Sequence, residues 1–299
     1  MTLDALAGAM PALVAVIAPV FAGAGLGWIW ARLGRPFDAA MVSDLASNVG
    51  TPFLVFAALT KLDMAPAALA EMAAAALLGY ALAGAAAALA LAAARLSWRD
   101  YLPALVFGNA GNMGLPLCLF AYGDAGLALA VAYFAVTTML QFTLGVGIAA
   151  GAMSPARVLR TPVLYAVAAA LAFILAGTKP PAWLANTAQL LGGLTIPLML
   201  MALGVSLARL KVASVGRAAA LSVLRVAGGA ACGIAAAEIM GLSGAARGVL
   251  VIQTAMPVAV FNYLFALHYK RAAAEVAGMV LISTLLSFAG LPFLLLYLL

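Results

Sequence analysis

From Pro66 to Ala94 the chain reads PAALAEMAAAALLGYALAGAAAALALAAA, with Glu71 as its one charged side chain, and comparable apolar runs recur from end to end. About 20 such residues in a helix cross the hydrocarbon core of a bilayer. In that medium every backbone N–H and C=O must be paired internally, which leaves helices and closed barrels as the available folds. Runs of this length, rather than short alternating strands, select helices. Composition agrees: 67% of the 299 residues are hydrophobic and 8% charged, with a mean hydropathy of +1.18, where a soluble domain carries about 25% charged residues. The chain is read as an all-α polytopic membrane protein.

Ten spans are expected, at 9–31, 39–60, 66–94, 101–121, 124–150, 158–177, 183–208, 214–240, 246–268 and 273–298. The net charge of +6 resides mainly in the short connections between them, where it is a topology signal and not a nucleic-acid patch. Odd-numbered connections hold eleven Lys and Arg; even-numbered ones hold three, Lys61, Lys179 and Arg247. The positive-inside rule then places the odd loops in the cytoplasm and both termini on the outer, periplasmic side of a cell (inner) membrane. Met1 to Met10 has no basic residue, so the first span reads as retained and not as a cleaved leader. Cys118 and Cys232 lie in separate apolar runs and form no metal or redox spacing.

The two halves resemble each other. TPFLVFAAL (51–59) parallels IPLMLMALG (196–204), and TTMLQF (137–142) parallels STLLSF (283–288). The expected organisation is a first repeat over 1–150, a linker at 151–162 (GAMSPARVLRTP) and a second repeat over 163–299. Five spans per half is an odd number, so the second repeat is inserted upside down relative to the first, the pattern of inverted-repeat transporters.

Spans 4 and 9 are poor helices at their centres. GNAGNMGLPL (108–117) breaks the first, and Pro257 falls in the middle of the second. Backbone groups freed there require protein or a water-filled cavity, and the half-helix N-termini carry free N–H groups and the positive dipole end that suit an anion. Pro116 and Pro257 are expected to start the half-helices. Asn109, Asn112 and Gly114 lie at the first break, and Gln253, Thr254 and Asn262 flank the second; their amides and hydroxyls offer hydrogen bonds without a buried charge. The same groups would also serve to tie down unwound backbone. Arg225, the only basic residue well inside a span, has two readings: a bidentate partner for a carboxylate substrate, or a side chain snorkelling to the cytoplasmic face. No Asp or Glu sits at a span centre. Asp44, with Asn48 one turn on, and Glu71 are the candidates for proton or ion coupling. Neither a phosphate loop nor a GxSxG nucleophile is present, so a secondary carrier fits better than an ATP-driven pump or an enzyme, and no cofactor or metal is expected.

GNAGNMGLPL, MPVAVFNYLFALHY (256–269) and STLLSFAGLPFLL (283–295) together resemble the bacterial branch of the auxin efflux carrier family, the group that includes the plant PIN-type carriers. The resemblance implies broken crossover helices in spans 4 and 9. It also implies a scaffold of spans 1, 2, 6 and 7 and a transport domain of spans 3–5 and 8–10 that moves as an elevator. It further implies efflux-type carriage of a small organic anion, with Asn109, Asn112, Gly114, Pro116, Gln253 and Pro257 at the crossover, and a homodimer. The two-break architecture is also similar to the sodium-coupled bile-acid symporters, and a membrane sensor without net transport is a third reading.

Overall fold

The computed structural model describes residues 3–61, 65–151, 161–209 and 215–298. Most of the 151–162 linker, the start of the sixth span, and Arg157, Arg160 and Lys211 of the charge count lie outside the described residues. Fourteen α-helices account for most of the rest: α1 (Leu3–Arg32), α2 (Ala39–Leu45), α3 (Thr51–Lys61), α4 (Pro66–Ala93), α5 (Trp98–Val106), α6 (Leu115–Leu140), α7 (Val146–Ala150), α8 (Pro162–Leu175), α9 (Ala182–Gly193), α10 (Thr195–Arg209), α11 (Val215–Ile239), α12 (Gly244–Thr254), α13 (Val260–His268) and α14 (Ala273–Leu298). π-Helical turns at Ala46–Gly50, Ala110–Gly114 and Gln141–Gly145 join α2 to α3, open α6 and join α6 to α7. Among the described residues there is no strand, only an isolated bridge between Gly108 and Val258.

Among the described residues seven helical runs are long and apolar enough to cross a membrane, so this is a multi-pass membrane protein. That number falls below the ten expected spans for identifiable reasons. Spans 4 and 9 are interrupted, so α5, α12 and α13 are each too short alone. The described part of span 6, α8, has 14 residues. Spans 4 and 5 run together as Ala110–Ala150, although Gly123 within that run has φ +64° and ψ −155° and turns the chain out of helix.

The helices pack in two groups. α1 lies along α10, while α3 packs on α8 and α9. Small residues permit this closeness, as expected where lipid supplies no hydrophobic drive between helices. A Cβ on Gly27 would strike the main chain of Met201, and one on Gly204 the main chain of Ala24. In the second group α4 packs on α5, α6 and α11, while α11 packs on α12 and α14. Gly229 and Gly233 of α11 meet the backbone and side chain of Thr254 in the same way.

Candidate functional site

The two breaks meet. α5 ends at Val106 and α12 at Thr254, with Phe107 and Ala255 as their caps, and the residues that follow run antiparallel past each other at Gly108 and Val258. Asn109 N–H donates to Pro257 O at 2.7 Å, and Ala259 N–H to Phe107 O at 3.4 Å. Val258 N–H is taken by Ser283 Oγ of α14 at 3.0 Å. Backbone freed by the breaks is thus largely satisfied by the opposite break, which answers the requirement for internal pairing in lipid.

Each break is followed by a new helix whose cap is Asn109 on one side and Ala259 on the other. One of the two prolines falls where it was expected. Pro116 lies in the first turn of α6, after the π-turn that already began at Ala110, and Pro257 sits in the extended break itself. The bridge holds the extended segment there, and Pro257 contributes a carbonyl acceptor and not a helix start.

Asn112 and Asn262 occupy the same place, three residues beyond each cap, yet have opposite fates. Asn262 is buried; its Nδ2 donates to Phe107 O at 2.7 Å and its Oδ1 accepts from Gln141 Nε2 at 3.3 Å. Asn112 is half-buried, faces a cavity and makes no side-chain hydrogen bond among the described residues. Asn109 Nδ2 is buried without a partner beside it. The backbone N–H groups of Gly111 and Asn112, in the first turn, likewise have no acceptor among the described residues.

That cavity holds about 310 Å³ and is bounded by Gly108–Asn112, Ala259 and Phe261 of the crossing, with Thr137, Thr138 and Phe134 of α6 behind them. All three π-turns contribute to it, through Ser47 and Asn48, Ala110 to Asn112, and Gln141. π-Turns collect at functional sites because they leave main-chain groups and side chains displaced from the regular ladder. Among the described residues no charged side chain lines the cavity. A second cavity of about 620 Å³ shares Ser47, Asn48, Phe142 and Phe261 with the first and extends to Asp44, Ser206 and Arg209. Asn48 Nδ2 donates to Asp44 Oδ1 at 2.6 Å there.

The remaining expected residues are distributed as follows. Gln253 is fully buried outside the cavity with neither amide atom partnered. It lies against Gly114, where a Cβ would collide with its amide. Thr254 Oγ1 donates back to Leu250 O at 2.8 Å, within its own helix. Glu71 is exposed on α4 and lines neither cavity. Arg225 does something that neither reading of the sequence contained: it is 3% exposed, away from the cavity, with all three guanidinium nitrogens on main-chain carbonyls. Sequence reasoning missed the α6 side of the cavity. Its signal was the polar set Thr137, Thr138 and Gln141 at one-turn spacing inside an apolar span.

Residues 148–295 match a family model described as Membrane transport protein. The match spans the second half of the chain, including α11 to α13 and most of α14. It supports the auxin efflux carrier resemblance and indicates a membrane transporter. No curated protein matches the chain.

Proposed function

We propose that this protein is a secondary carrier of the auxin efflux carrier family for a small organic anion such as a carboxylate, bound where the broken helices cross. One observation carries the reading: Gly111 and Asn112, whose N–H groups are unpaired among the described residues, line one cavity together with the free amide of Asn112, and no charged side chain among the described residues lines it. Helix N-termini favour negative charge, and among the described residues no carboxylate lines the cavity to oppose it.

The two packing groups are consistent with a scaffold of α1–α3 and α8–α10 and a transport unit of α4–α7 and α11–α14. Counting the two broken spans and the short α8 gives ten passes, five in each half, which is consistent with two inverted repeats. The larger cavity opens beside Arg209, at the end that the charge distribution assigns to the cytoplasm. At the opposite end Lys61 of α3 and Asp124 of α6 form an ion pair of 2.7 Å between the two groups. This arrangement fits the inward-facing state of an elevator, which must break that pair to turn outward.

The test is a thermal-shift screen of purified protein against mono- and dicarboxylates, aromatic acids, bile acids and neutral amino acids, each with sodium or choline. A specific ligand at a hundredfold excess over its Kd stabilises by about 2.7 kcal/mol. Stabilisation by a carboxylate is the expected result. Stabilisation by neutral amino acids alone would refute the anion assignment.

A further inference from the structure

Arg225 is a full positive charge buried mid-span, and among the described residues no carboxylate pairs with it. Its Nε donates to Met256 O at 3.0 Å, Nη1 to Leu105 O at 3.0 Å and Val106 O at 3.1 Å, and Nη2 to Thr254 O at 3.0 Å. Two of these carbonyls belong to the C-terminal end of α5, and Thr254 O closes α12 with Met256 O two residues past its end. Helix C-termini carry the negative end of the dipole, together with carbonyls that lack a partner in their own helix. Four main-chain oxygens from two converging half-helix ends form the kind of cage in which membrane carriers with broken helices hold a coupling cation.

The chain is built to admit the guanidinium. Gly108 lies against it, and a Cβ there would collide with Nη2 and come within 2.9 Å of Met256 O. Gly229, one turn beyond Arg225 on α11, lets that helix approach the Thr254 carbonyl. The other face of the Gly108–Val258 bridge belongs to the cavity, through Gly108, Asn109 and Ala259.

We propose that the Arg225 guanidinium is the resident cation of the crossing: it fills the carbonyl cage at the C-terminal ends of α5 and α12, so that the crossing is held together without a dissolved metal cation. Arg225 is a positioning residue, tying the first repeat to the second and neutralising the negative ends, which leaves the N-terminal ends as the unbalanced field toward the cavity. The stability consequences stand apart from the carrier reading. Only the expectation of ligand binding without sodium rests on it.

The test uses the full-length protein in detergent. Arg225→Met keeps the length and removes the charge; Arg225→Lys keeps the charge. Removing one partner of a buried polar cluster of this kind lowers the thermal midpoint by roughly 6–20 °C, and the expected order is unaltered protein, then Lys, then Met. In Arg225→Ala, millimolar methylguanidinium recovers part of the midpoint saturably, whereas the neutral analogue methylurea does not. The unaltered protein shows no saturable midpoint shift with sodium or potassium against choline at constant ionic strength. Lys and Met variants of equal stability would overturn the proposal, as would a saturable sodium- or potassium-specific shift in the unaltered protein. If Arg225→Ala yields no folded protein, the Lys-against-Met comparison and the cation titration still decide the matter.

Discussion

Asn112 and Asn262 are the same residue type at the same distance from their helix caps, which makes their replacement a controlled experiment. Asn262→Ala removes the donor to Phe107 O and the acceptor of Gln141 Nε2. Both partners are buried in the crossing, and hydrogen bonds between membrane helices measure about 0.6–1.7 kcal/mol each. Two of them give a loss of about 1–3 kcal/mol. Asn112→Ala removes no side-chain hydrogen bond among the described residues and shortens a half-buried side chain, so its stability change stays within about 0.5 kcal/mol. Its effect falls on the ligand instead. A hydrogen bond to a charged group is worth about 1.5–3 kcal/mol, or roughly a tenfold to a hundredfold rise in Kd. The assay is a thermal midpoint without ligand, followed by ligand titration of each variant. Equal destabilisation by the two substitutions would refute the division of labour between the amides. Unchanged affinity in Asn112→Ala would remove it from the site.

Two further substitutions test the surrounding architecture. Gly123 sits at φ +64° and ψ −155° with open space around its Cα; Gly123→Ala therefore costs about 1–3 kcal/mol of pure backbone strain, read as a lower midpoint, and an unchanged midpoint would mean that the turn relaxes freely. The Lys61–Asp124 pair is about half exposed on both sides. Asp124→Asn shifts the midpoint by less than about 4 °C while changing the transport rate, and an unaltered rate would show that the pair does not gate.

The residues differ in how much of this could be read from sequence. Apolar runs such as 66–94 and 273–298 announce single helices because length and hydropathy leave no alternative in lipid. The break at 108–117 was legible because Gly, Asn and Pro oppose helix in a segment too apolar to be a loop. Where the second half-helix restarts was not legible from Pro257, since the break is held by hydrogen bonds such as Asn109 N–H to Pro257 O across 148 positions of chain. The role of Arg225 was hidden for the same reason. Its partners are backbone carbonyls at 105, 106, 254 and 256, and a carbonyl has no letter in the sequence. π-Turns at 46–50 and 141–145 lack distinctive composition and emerge only from packing. They explain why Ser47 and Gln141 reach the cavity without having been anticipated there.

The central claim is net carriage of an organic anion through the crossing, and counterflow in proteoliposomes tests it most directly. Vesicles holding the protein are loaded with the carboxylate that stabilises it and diluted into a trace of the labelled compound. The account expects saturable, transient accumulation of label in vesicles with the unaltered protein and at least a tenfold weaker response at the same concentration with Asn112→Ala. Saturable binding to the unaltered protein with no accumulation of label would contradict it and identify a sensor in place of a carrier.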